Sequence, residues 1–212
     1  MTEYSLRAKL ITEFIGTFFL TLTICTAAAF GTAGSYAPFA IASTLMVMIY
    51  AGGHVSGAHY NPAVTISIYM RGACDVSDVG PYIVSQVVAG IAAAVVAANV
   101  LVPSGEVGPL VMDTAPAFGA ELMFTFALVF VILNVATSES TEGNGYYGAA
   151  IAFVVLAGAL TVGSISGASF NPAVTASLVS AGVMEVADLW VHIVPQLVGG
   201  ALAALVFNFQ QN

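Results

Sequence analysis

Polar positions are scarce along this chain and gather in clusters, and between the clusters lie six long apolar runs. They are Leu10–Ala29, Tyr36–Ala51, Tyr82–Val102, Ala117–Ala136, Tyr147–Val162 and Leu189–Phe209. Each approaches the length that a helix rising about 1.5 Å per residue needs to cross a hydrocarbon layer about 30 Å thick. The pattern predicts six membrane-spanning helices. Arg7 and Lys9 before the first run, with Ala27-Ala28-Ala29 at its end, imitate a secretory leader and its cleavage site. That run is long enough to span and has a counterpart in the second half, so it reads as a span.

Two of the polar clusters repeat each other. Gly53-His54-Val55-Ser56-Gly57-Ala58-His59-Tyr60-Asn61-Pro62-Ala63-Val64-Thr65 matches Gly163-Ser164-Ile165-Ser166-Gly167-Ala168-Ser169-Phe170-Asn171-Pro172-Ala173-Val174-Thr175 at nine of thirteen positions, at an offset of 110. Asn favours the N-cap of a helix and Pro its first position. Each cluster therefore predicts an extended Gly/Ser loop that starts a helix. The apolar tracts that follow, Val64–Met70 and Val174–Val183, are too short to span and read as half-helices dipping into the membrane. Irregular backbone at that depth is tolerated only where protein or a wet cavity surrounds it. Two such loops in matching places point to a central path.

The half-helices follow the second and fifth runs, so each half holds three spans and one re-entrant segment. An odd number of spans per repeat inverts the second copy, and the two half-helices meet N-terminus to N-terminus near the midplane. The repeats run from about 8 to 102 and from about 115 to 209, within a single domain covering 1–212. All three basic residues, Arg7, Lys9 and Arg71, fall on one side when both termini are cytoplasmic. The loop at Pro103–Thr114 is then extracellular and Ser138–Gly145 cytoplasmic.

Composition agrees. The chain is 59% hydrophobic and 7% charged, where soluble domains carry about 25% charged residues. A net charge of −8 with three basic residues excludes a nucleic-acid patch. Cys25 and Cys74 lie in a span and a cytoplasmic loop, which predicts no disulfide. No Cys/His cluster has metal spacing, and no nucleophile–base–acid set stands out. The expectation is no metal, no cofactor and no enzyme.

Paired Asn-Pro-Ala boxes in a G-x-x-S-G-A-x-x-N-P-A-V-T surround resemble the aquaporin (major intrinsic protein) family over essentially the whole chain. The resemblance implies an all-α membrane protein, a right-handed bundle of six transmembrane helices plus two re-entrant half-helices in two inverted repeats. It implies a homotetramer with one pore per subunit, in the plasma or inner membrane. The pore boxes are Asn61, Pro62, Ala63 and Asn171, Pro172, Ala173. Each Asn oxygen caps its half-helix and leaves amide donors for a passing solute. By resemblance, the carbonyls of Gly57, Ala58, His59, Gly167, Ala168 and Ser169 form a ladder of acceptors. The two helix N-termini add about half a positive charge each at the narrowest point, which repels cations.

The resemblance also places a selectivity constriction at Ile41, Ala159, Ala168 and Val174. The last is usually Arg. Here the set carries neither charge nor side-chain donor, so the outer constriction should be wide and apolar, against narrow water specificity. Glu13 and Glu121 recur one per repeat inside spans. They read as structural carboxylates accepting N–H groups of the loops, with a proton relay as the other reading. His54 reads as a packed, hydrogen-bonded residue or a pH gate, His192 as a helix-surface or packing residue, and Gln86 and Gln196 as interhelical hydrogen-bonding groups. Gly90 with Ala94 and Gly200 with Ala204 are pairs that let helices approach closely. Trp190 reads as an interfacial anchor, and Pro195 as a kink in the last span.

The leading function is a passive channel for water and small uncharged solutes such as glycerol, urea, ammonia or hydrogen peroxide, excluding ions. A proton- or ion-coupled secondary transporter and a non-conducting scaffold are the alternatives.

Overall fold

The computed structural model describes residues 4–211, and these form eight α-helices with short turns between most of them. α1 (Leu6–Thr23) continues as a π-helical stretch, Ile24–Ala29. α2 covers Ala37–Ser56, α3 Pro62–Arg71, and α4 Val76–Val96 with a second π stretch at Ala97–Leu101. α5 covers Thr114–Ala136, α6 Tyr147–Ser166, α7 Pro172–Ser180 and α8 Leu189–Gln210. Among the described residues six segments are long and apolar enough to cross a membrane, and α3 and α7, of 10 and 9 residues, are the half-helices. Large apolar side chains such as Val84, Phe153, Leu160 and Leu205 are exposed on the outside, a surface that suits lipid. Trp190 stands exposed at the start of α8 with its ring 6.3 Å from that of Phe118.

Two boundaries differ from the sequence reading, each for a packing reason. α2 runs through Gly52-Gly53 to Ser56, although glycine is a poor helix former. The Tyr60 hydroxyl lies where a Cβ on Gly52 would sit, and it donates to the Met48 carbonyl at 2.9 Å. The glycine is there to admit the tyrosine. α4 begins at Val76 rather than Tyr82 and contains Pro81. Its first turn is fastened to α1 by Lys9 Nζ donating to Asp78 Oδ2 at 2.8 Å.

The two halves interlock. Each half-helix packs on the last span of the other half, α3 on α8 and α7 on α4. Glycines make the approach close: a Cβ on Gly90 would lie 2.6 Å from the Ala173 carbonyl oxygen, and one on Gly200 would lie 2.6 Å from Ser67 Oγ. At the end of the bundle where α1 starts, Arg71 Nε donates to Thr137 Oγ1 at 3.1 Å and its Nη2 to the Thr137 carbonyl at 3.0 Å. The same guanidinium lies over the Phe207 ring. Arg7, Lys9 and Arg71 thus share one end. Cys25 and Cys74 are both free; Cys25 is buried, with Sγ 3.8 Å from Ser177 Oγ.

Candidate functional site

Each re-entrant loop begins where its helix stops. α2 ends at Gly57 (φ 85°) and α6 at Gly167 (φ 79°), both left-handed. The loops then hold non-glycine residues in the same region: Ala58 and Tyr60 (φ 51° and 49°), Ala168 and Phe170 (φ 50° and 47°). Such residues cost about 1–3 kcal/mol each, and they persist where surrounding structure over-determines them.

The over-determination comes from Glu13 and Glu121, each fully buried. Glu13 Oε1 accepts from Ser56 Oγ (2.6 Å) and the His59 N–H (3.0 Å); Oε2 accepts from the Tyr60 N–H (2.7 Å) and Gln86 Nε2 (2.8 Å). Glu121 Oε1 accepts from Ser166 Oγ (2.7 Å) and the Ser169 N–H (3.1 Å). Its Oε2 accepts from Ser169 Oγ (3.1 Å), the Phe170 N–H (2.8 Å) and Gln196 Nε2 (2.8 Å). Charge-assisted bonds of this kind are the strong ones. They draw the loop N–H groups toward the carboxylates, and Gly57, Ala58, His59, Gly167, Ala168 and Ser169 line a cavity of about 1050 Å³.

The cavity extends from Pro38 and Leu110 to the Ser138–Asn144 turn, and both Asn side chains border it. Asn61 Oδ1 accepts from the Ala63 and Val64 N–H groups at 2.9 and 3.4 Å; Asn171 Oδ1 accepts from the Ala173 N–H at 2.9 Å. The amide nitrogens are not wholly free, contrary to the sequence reading. Asn61 Nδ2 donates to the Phe170 carbonyl and Asn171 Nδ2 to the Tyr60 carbonyl, each at 2.9 Å. An amide has two N–H donors, so each Asn retains one. Pro62, Ala63, Pro172 and Ala173 form the buried first turns of α3 and α7.

Ile41, Ala159, Ala168 and Val174 all line the cavity. Val174 packs in an apolar cluster with Leu178 and Met184, joined by Ile24, Leu110 and Val183.

One histidine, His54, departs from its reading as a packed residue. His54 is exposed at the cavity edge, its ring edge-on to Tyr4 at 6.0 Å. Of the two readings of His192, surface or packing, the buried one holds: it is fully buried, with Nε2 2.7 Å from the Ser166 carbonyl oxygen and 4.0 Å from Glu121 Oε1. The side chain of His59 is buried with Nδ1 3.2 Å from Thr65 Oγ1. Gln86 and Gln196 link the carboxylates to Thr65 and Thr175.

A family profile described as "Major intrinsic protein" matches residues 1–207, nearly the whole chain. The chain belongs to the major intrinsic protein family. Similar curated members include Aquaporin NIP1-2 of Arabidopsis thaliana, 37% identical over 94% of this chain and 73% of that protein. Aquaporin NIP1-3 of Oryza sativa subsp. japonica is also 37% identical, over 98% and 75%. Among solved structures, the aquaglyceroporin from Plasmodium falciparum superposes with a TM-score of 0.80 over 96% of both chains at 21% identity, a likeness of fold. As a major intrinsic protein the chain is a passive channel for water and small solutes, and not an enzyme.

Within the family frame, the structure adds lining residues that motif reading passed over. Leu20, Ile24, Leu45, Leu128, Ile132 and Val155 border the cavity. The signal was present in the repeat, since Leu20 and Ile24 stand 108 positions before Leu128 and Ile132, as Glu13 stands before Glu121. Leu110 had no such signal. It lies in the connection between the repeats, is tied by its N–H to the Val183 carbonyl at 2.8 Å, and would sit 3.1 Å from a Cβ on Gly167.

Proposed function

We propose that the long cavity is the conducting path and that it admits at least one solute larger than water, with glycerol, urea, ammonia or hydrogen peroxide as the candidates. The observation that carries this reading is the ring Ile41, Ala159, Ala168 and Val174, which borders the cavity without a charge or a side-chain donor. A solute leaving bulk water finds acceptors on one wall only, the carbonyls of Gly57, Ala58, His59, Gly167, Ala168 and Ser169. The remaining amide donors of Asn61 and Asn171 serve its oxygen at the centre. Alkyl side chains cover the other walls. A cation loses its hydration shell here and meets two helix N-termini, which together exclude it. Glu13 and Glu121 shape the loops and take no part in conduction, since the lone-pair sites of each carboxylate are already engaged by protein donors.

Arg7, Lys9 and Arg71 at one end support a cytoplasmic placement of both termini, in a plasma or inner membrane. The assembly is a homotetramer with a pore in each subunit, as the family resemblance implies. The test is a permeability series in proteoliposomes over water, ammonia, hydrogen peroxide, urea and glycerol, run with and without an imposed proton gradient. Measurable downhill flux of a solute larger than water is the expected result. Exclusion of every solute but water, or uphill flux driven by the gradient, would overturn it.

A further inference from the structure

The repeat relates more than the two loops. At the same 110 offset, Ile41, Ala159, Ala168 and Val174 correspond to Ile151, Ile49, Ala58 and Val64. All of the latter border the same cavity, on the α3 side of the Asn pair. The pore therefore has a second ring of the same construction, one residue each from α2, α6, a loop and a half-helix. The two rings differ at a single corner: Ile49 stands where the other has Ala159. An Arg at position 174 would make the α7-side ring the tighter of the two. With Val174 matched by Val64, that advantage is gone, and the sec-butyl group of Ile49 against the methyl of Ala159 decides. Outside the rings the differences run both ways: on the α7 side Leu110 and Val183 border the cavity, Val183 where its equivalent is the smaller Ala73, while on the α3 side the added bulk is a tyrosine. Tyr147 borders the cavity where its equivalent is Ala37, and its ring is held edge-on to Tyr50 at 5.2 Å.

We infer that the ring of Ile49, Ala58, Val64 and Ile151, on the α3 side, is the narrower constriction and sets the size limit for solutes. Ile49 is the specificity-determining residue. This rests on the reading of Ile41, Ala159, Ala168 and Val174 as the other constriction. Barriers in series are governed by the higher one, so the rings should respond unequally to matched substitutions.

The experiment compares Ile49→Ala, Ile49→Val, Ala159→Ile and the exchange variant Ile49→Ala/Ala159→Ile. Glycerol and water permeabilities are measured in proteoliposomes and normalised to folded protein. A few methylenes in an apolar passage change discrimination by about tenfold or more. Ile49→Ala should raise the glycerol-to-water ratio by about that factor, with Ile49→Val moving the same way by less. Ala159→Ile should lower it only slightly, and the exchange variant should return it close to the native value. A merely structural loss would lower folded yield without moving the ratio. If Ile49→Ala misfolds, Ile49→Val and Ala159→Ile still decide. A steep fall in Ala159→Ile with no change in the Ile49 variants would overturn the inference while leaving the proposed function standing. A native protein that passes no solute but water would instead overturn the proposed function itself.

Discussion

Tyr82 and His192 occupy equivalent places in the two repeats and hold the same group. The Tyr82 hydroxyl donates to the Ser56 carbonyl at 2.9 Å, and His192 Nε2 lies 2.7 Å from the Ser166 carbonyl oxygen. Because a carbonyl only accepts, the imidazole must carry its proton on Nε2. Two different side chains therefore close the same bond above each re-entrant loop. His192→Tyr should fold close to the native protein, whereas His192→Phe should lose about 1–3 kcal/mol by leaving a buried acceptor unpaired. Thermal unfolding in detergent distinguishes the two, and equal losses in both variants would refute the equivalence.

Glu13→Gln and Glu121→Gln each replace an acceptor oxygen with an NH₂ that faces N–H donors. Both should lower folded yield, with a cost of about 1–3 kcal/mol per unpaired group, while water flux per folded channel stays nearly intact. Size-exclusion chromatography of the detergent extracts measures the first quantity and stopped-flow scattering the second. A mutant that folds fully yet loses flux would return these carboxylates to the conduction path.

Asn61→Asp and Asn171→Asp should each weaken cation exclusion. A carboxylate offsets the positive helix ends and cannot donate to the carbonyl of the opposite loop, Phe170 for one and Tyr60 for the other. Current recordings on planar bilayers check this. Ion leakage unchanged from the native protein in both variants would remove the helix ends from the account of selectivity.

Val174→Arg would place a charge and five donors in the apolar cluster of Ile24, Leu110, Leu178 and Met184. Glycerol and urea flux should fall more than water flux, because the added side chain fills space that larger solutes use and offers water a partner. Stopped-flow measurements on both forms give the ratio. Faster passage of the larger solutes through the Arg form would contradict the reading of this ring.

Gly90→Ala should destabilise the fold by about 1–3 kcal/mol, since the new methyl meets the rigid Ala173 carbonyl rather than a flexible side chain. Gly80→Ala, with open space around its Cβ, is the matched control on the same helix. Equal unfolding temperatures for the two would count against close packing of α4 on α7.

Apolar length and the doubled Asn-Pro-Ala boxes were enough to read the spans, the half-helices and their inversion, because lipid leaves the chain few other solutions. The ends of helices were less legible. Gly52-Gly53 looks like a stop until Tyr60 is seen resting on it, and Val76–Pro81 looks like a loop until Asp78 meets Lys9. The π-helical stretches after α1 and α4 leave no mark in hydropathy. His192 reads as either a surface or a packing residue because only tertiary structure supplies its carbonyl partner. Sequence alone overstates the free donors of Asn61 and Asn171 for the same reason: the acceptor that takes one of them belongs to the opposite repeat.

Those reciprocal bonds carry a consequence for biogenesis. The first re-entrant loop finds its partner at Phe170, more than a hundred residues further along the chain. While the ribosome is still making the second repeat, Asn61 has an amide hydrogen pointed at nothing and α3 has no α8 to lean on. The first repeat must wait in the membrane half-built, and the two loops lock together only after both have been delivered, from opposite faces of the bilayer.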